Sequence, residues 1–120
     1  MESHIEMTCE EIKGRSNAQL IRFTGDLDAT NVESVLDRIC NLFNEGKVMI
    51  VADFKKLRYV NSTGLGILLH LSKSAREKGG SFKIANVNEN VYEIIEIIGA
   101  TSLLDIYDTV DEALASFINK

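Results

Sequence analysis

Seven residues near the middle of the chain, Lys47-Val48-Met49-Ile50-Val51-Ala52-Asp53, form an apolar run with a charge at each end. A strand with one wet face alternates polar and apolar side chains. A run without alternation therefore suits a strand covered on both faces, as in the middle of a parallel sheet. Parallel neighbours need long crossover connections, usually helical, so the flanking sequence has to alternate strands with helices. It does.

Upstream, Leu20, Arg22 and Thr24 alternate with Ile21, Phe23 and Gly25. That period of two predicts strands over 7–12 and 17–25, joined as a hairpin through the turn chemistry of Lys13-Gly14-Arg15-Ser16-Asn17. Val32, Val35, Leu36, Ile39 and Phe43 then follow helical spacing, up to a stop near Glu45-Gly46. Downstream of the apolar run, Lys55–Asn61 reads as a polar bend. Leu65, Leu68, Leu69, Ser72 and Ala75 make the stripe of a second helix, stopped by Gly79-Gly80. Phe82–Ala85 is a short strand, and Val91, Ile94, Ile95 and Ile98 mark a third helix closed by Gly99.

Leu103–Tyr107 reads as a last strand. Thr109 and Glu112, three apart, form a capping box for a final helix with Val110, Ala113, Leu114, Phe117 and Ile118 on its apolar face. The expected fold is α/β: one domain over 1–120, order ββαβαβαβα. It has a mostly parallel or mixed five-stranded sheet flanked by about four helices, with right-handed crossovers and no linker or repeat.

Composition narrows the function classes. At 45% hydrophobic and 26% charged, 120 residues suffice for one ordinary core. No apolar run approaches the ~20 residues that cross a bilayer. Met1-Glu2-Ser3-His4-Ile5-Glu6 lacks the basic start and apolar stretch of an export signal. Cys9 and Cys40 fit neither a disulfide framework nor a metal site and read as buried thiols of a reducing cytosol, so a cytoplasmic location is expected. The net charge is -5. Nucleic-acid binders carry a basic stripe, and Lys55, Lys56 and Arg58 are a short cluster beside Asp53, so direct nucleic-acid binding is disfavoured.

One segment concentrates the candidate chemistry: Asp53 through Gly66, which joins the most buried strand to a helix. Partners of open α/β sheets meet the carboxyl ends of strands, where helix N-termini also point. Asn61, Ser62 and Thr63 stand where the first helical N–H groups lack partners, and a negative group there is favoured by the helix dipole. Asn61 or Ser62 as a plain N-cap explains part of this pattern. Two adjacent hydroxyls exceed what capping needs. Gly64 and Gly66 remove side chains either where a partner backbone approaches or where the helix packs tightly on the sheet.

Asp26 and Asp28, two apart at the end of an early strand, share one face. Asp28 reads as an N-cap for the first helix rather than a catalytic carboxylate. His4 and His70 have no evident partners, and His70 reads as a surface or boundary residue. Val60-Asn61-Ser62-Thr63-Gly64 is not the Gly-x-Ser-x-Gly of a hydrolase, and Gly64-Leu65-Gly66 is not a phosphate-binding loop. No catalytic residue, metal ligand or cofactor is expected, and the chain reads as a non-enzyme.

Asn61-Ser62-Thr63-Gly64-Leu65-Gly66, preceded by an apolar strand and Asp53-Phe54-x-x-Leu57, resembles the signature of bacterial anti-sigma factor antagonists of the STAS domain family. Gly25-Asp26-Leu27-Asp28 resembles their second signature, and Lys78 through Ile84 their next helix–strand turn. The resemblance spans nearly the whole chain.

It implies a binding protein that docks on an anti-sigma factor, itself a serine kinase, and releases a sigma factor. Phosphorylation on Ser62, with Thr63 the lesser candidate, would switch it off, and a serine phosphatase of the PP2C type would restore it. The implied partner-binding residues are Asp26, Asp28, Asn61, Ser62, Thr63, Gly64, Leu65 and Gly66. Asn61 stands where the family usually has Asp. The alternative is a STAS scaffold or regulatory module of a stressosome or transporter, without the kinase switch.

Overall fold

The computed structural model describes residues 4–118, with side chains through residue 117. Its elements are β1 (Ile5–Ile12), β2 (Arg15–Leu27), α1 (Val32–Asn44), β3 (Met49–Val60), α2 (Ser62–Glu77), β4 (Ser81–Ala85), α3 (Glu89–Ile98), β5 (Asp105–Tyr107) and α4 (Val110–Ile118). They form one five-stranded sheet in the order β1-β2-β3-β4-β5. β1 runs antiparallel to β2, and every later pairing is parallel. The expected order and mixed sheet are both present.

The apolar run of β3 is covered on both faces because its neighbours send helices to both sides. Ile50, Ala52 and Phe54 join Ile21, Phe23, Phe82 and Ile84 in a core shared with α1, α2 and α3. Phe23 and Phe54 meet there edge to face, ring centroids 5.2 Å apart. Val51 faces the other way, with Leu20 and Ala85, under Ala113 and Phe117 of α4. Lys83 is buried on that side too. Its Nζ lies 3.1 Å from the Tyr107 hydroxyl and 3.7 Å from Asp105, and 5.0 Å and 5.3 Å from the ring centres of Tyr107 and Phe117.

Several sequence expectations are corrected. Lys55–Asn61 is no bend, because β3 continues to Val60, paired through Leu57 to Gly25 and through Val60 to Leu27. Register shifts between Arg22 and Thr24 and between Gly25 and Asp26 replace the period of two. Phe54, Leu57 and Val60, three apart, all face inward while Lys55, Lys56, Arg58 and Tyr59 are exposed. The hairpin is tighter than expected, with Ile12 paired to Arg15 around Lys13-Gly14. β5 begins at Asp105, and Leu103 is exposed.

The helical stripes also shift. In α2, Leu71 is fully buried and Leu69 only half-buried. In α3, Val91 and Ile95 carry the burial, Ile94 is half-buried and Ile98 exposed. Cys9 is exposed and Cys40 half-buried, so neither is the expected core thiol. Thr109 accepts a hydrogen bond from the Glu112 N–H, the first half of the expected capping box. The Ile118 side chain lies outside the described residues, as do 1–3 of the N-terminal stretch.

Candidate functional site

Because β2, β3 and β4 are parallel, the segments that leave them meet at one edge of the sheet. The Asn61 N–H donates to the Leu27 carbonyl at 3.2 Å, which ties the start of α2 to the end of β2. The two segments singled out in the sequence, around Asp26–Asp28 and Asn61–Gly66, are therefore neighbours in space.

Asn61, in extended conformation, is the N-cap of α2, and its Oδ1 accepts from the Gly64 N–H at 2.9 Å. That leaves Ser62 as the first helical residue, exposed together with Thr63. The Ser62 hydroxyl makes no hydrogen bond to another described residue. The first turn of α2 carries no acidic side chain, so nothing within the helix opposes an anion there.

Gly64 and Gly66 divide the two readings between them. A Cβ on Gly64 would sit 2.7 Å from the Leu27 carbonyl oxygen and 2.8 Å from Val60 Cγ2, so this glycine lets α2 lie tightly on the sheet. A Cβ on Gly66 would meet nothing within 4 Å. Leu65 is 1% exposed and belongs to the core. Of the expected partner-binding residues, Gly64 and Leu65 face inward and position their exposed neighbours.

Asp28 does not cap α1, contrary to expectation. The N-cap is Asn31, whose side chain makes no capping bond to the helix. Asp28 Oδ1 instead accepts from the Thr30 N–H at 3.0 Å and its hydroxyl at 2.6 Å, closing a local turn. Asn31 braces that turn, accepting from the Asp28 N–H at 3.1 Å and donating to the Asp26 carbonyl at 2.8 Å. Asp26 is half-buried, 3.3 Å from Arg58.

The sequence reading missed two further clamps at this edge. Asn88 caps α3 through the Val91 N–H at 2.8 Å and donates to the Leu57 carbonyl at 2.9 Å. Asn86, with φ of 62°, donates to Asp53 at 3.0 Å. Asn86-x-Asn88 directly after a strand was the available signal. His70 is exposed on α2, as expected.

A five-stranded mixed sheet in this order, with a serine opening the helix after its central strand, defines a small α/β domain of a particular topology. The model of the STAS domain matches residues 11–113. The chain belongs to the STAS domain family. It is 25% identical over 96 residues to the anti-sigma-B factor antagonist of Bacillus subtilis strain 168, covering 80% of this chain and 87% of that one. In fold it is similar to the anti-sigma factor antagonist SpoIIAA in its unphosphorylated form (TM-score 0.78, 21% identity, 96% and 98% of the two chains). It is also similar to the Bacillus cell fate determinant SpoIIAA in its phosphorylated form (TM-score 0.70, 20% identity, 93% and 99%). No helix among the described residues is long and apolar enough to cross a membrane.

Proposed function

We propose that this chain is an anti-sigma factor antagonist of the cytoplasm that is switched by phosphorylation of Ser62. The observation that carries the reading is an exposed serine hydroxyl at the first position of a helix without acidic residues in its first turn, on the edge where two conspicuous segments converge. Names of sequence relatives and a structural neighbour solved in a phosphorylated form lend further support.

The unmodified chain docks Ser62, Thr63, Gly66 and the Asp26–Asp28 turn against an anti-sigma factor that is also a serine kinase, freeing a sigma factor. Transfer of a phosphoryl group to Ser62 adds about -1.5 to -2 charge and three acceptor oxygens. Within the chain that charge meets the positive end of α2 and requires no refolding. At the interface it meets a surface shaped for a hydroxyl, and a buried unpaired charge commonly costs ~2–5 kcal/mol of binding. That corresponds to a ~30- to 5,000-fold loss of affinity. A serine phosphatase of the PP2C type restores the hydroxyl.

The test is phosphosite mapping by mass spectrometry, after incubation with ATP and an anti-sigma factor kinase of the histidine-kinase-like ATPase fold that this chain retains in a pull-down. Modification on Ser62 is expected, together with a Ser62→Ala variant that binds the kinase and stays unmodified. Modification confined to Thr63, or none at all, overturns the assignment.

A further inference from the structure

A second surface lies between α3 and the sheet edge formed by β5, sharing no residue with the Ser62 surface. It is a shallow groove of about 570 Å³. Half-buried Val87 and Ile106 and the exposed ring of Tyr92 supply its apolar part. Glu89, Glu93 and Glu96, one stripe of α3, and Asp108 stand around it. All four carboxylates are exposed, and among the described residues none has a cation within ion-pair distance. Among the described residues no basic one lines the groove.

Among the described residues β5 pairs with β4 alone, which leaves its other edge open. The Tyr107 carbonyl accepts from the Asn86 N–H and so points toward the β4 side. Alternation along the strand then directs the Ile106 N–H and carbonyl to the open edge. A partner segment lying extended beside β5 gains those backbone hydrogen bonds, and every second side chain faces the groove. An apolar side chain there covers Val87 and Ile106. Its neighbours two residues away on either side face carboxylates.

From this geometry we infer that the α3–β5 groove binds a short extended segment of a partner protein in which an apolar residue lies between two basic ones at alternate positions. Charge complementarity selects basic flanks, because an acidic segment would bring like charges together. This surface goes beyond the switch at Ser62 and would let the same molecule hold a second protein in either phosphorylation state.

The probe is a synthetic peptide reading Lys-Thr-Leu-Thr-Lys, titrated into the isotope-labelled full chain and followed by backbone amide chemical shifts. Glu-Thr-Leu-Thr-Glu serves as control. The expected result is a set of shifts confined to Val87–Glu96 and Ile106–Asp108, weakened by salt and absent with the control. Glu93→Lys combined with Glu96→Lys changes exposed residues only. It is expected to weaken the basic peptide about tenfold or more, with Ser62 phosphorylation unaltered. Shifts elsewhere, equal binding of the acidic peptide, no binding of either peptide, or filling of the groove by a second copy in a concentration series without peptide would each overturn the inference.

Discussion

Gly64 and Gly66 look interchangeable in the sequence, yet their surroundings give substitution opposite signs. Gly64→Ala drives a methyl into the Leu27 carbonyl and Val60. Overpacking of that kind costs about 1–3 kcal/mol and lowers the urea midpoint without changing its slope. Gly66→Ala adds a methyl in open space within a helix and should stabilise by up to ~1 kcal/mol. On the proposed reading the stabilised Gly66→Ala protein binds its anti-sigma factor more weakly, because the backbone can no longer be approached closely. Unchanged binding would remove Gly66 from the docking surface. The sequence could not separate the two glycines, since the atoms that separate them belong largely to Leu27, a remote residue. By contrast, Asn61 was legible as a candidate cap because capping is local. Asp28 was misread because Asn31, three residues on, occupies the cap position itself.

Elements whose pattern is local were readable, and those bent by their neighbours were not. The apolar first half of β3 announced itself, whereas its second half hid behind two register shifts imposed by β2. Burial of Lys83 was likewise invisible, since a lysine on a strand ordinarily signals a wet face. Two predictions belong at this scale. Asn88 fastens the end of β3 to the start of α3, so Asn88→Ala removes a cap and leaves the Leu57 carbonyl without that donor. A loss of about 2 kcal/mol is expected in urea unfolding. The second concerns Tyr107, whose phenol is held below the ordinary 10.0 by Ser116 foremost and by Lys83, against burial, which raises it. A lowered folded value means the folded state binds fewer protons, so stability rises with pH through that window. The contribution is complete above the unfolded value of 10.0 and is lost as pH falls through the folded one. Ultraviolet titration, read as the difference between this chain and its Tyr107→Phe variant, should show the Tyr107 phenol ionising below the ordinary 10.0. Lys83→Met should move it upward. A Tyr107 phenol that titrates at or above 10.0, unmoved by Lys83→Met, would contradict this.

Across the whole molecule, the parallel sheet gathers the ends of β2, β3 and β4 at one edge, and asparagines fasten them there. Asn31 holds the turn after β2, Asn61 the start of α2, Asn86 the carboxylate of Asp53 and Asn88 the start of α3. A surface held by the Asn31, Asn61 and Asn88 contacts has little room to respond to a new charge by moving. The charge must then act on whatever docks. Phosphorylation at Ser62 should accordingly leave the circular dichroism spectrum unchanged. It should shift unfolding free energy by no more than ~1 kcal/mol, in the stabilising direction, because the dianion faces the N-terminal end of α2. Affinity for the anti-sigma factor should fall by the ~30- to 5,000-fold expected for a buried unpaired charge. The two quantities are measured on the same phosphorylated sample, by urea titration and by calorimetric binding. If stability and affinity fell together by several kcal/mol, the switch would be an unfolding of the edge, and rigidity would be the wrong account of it.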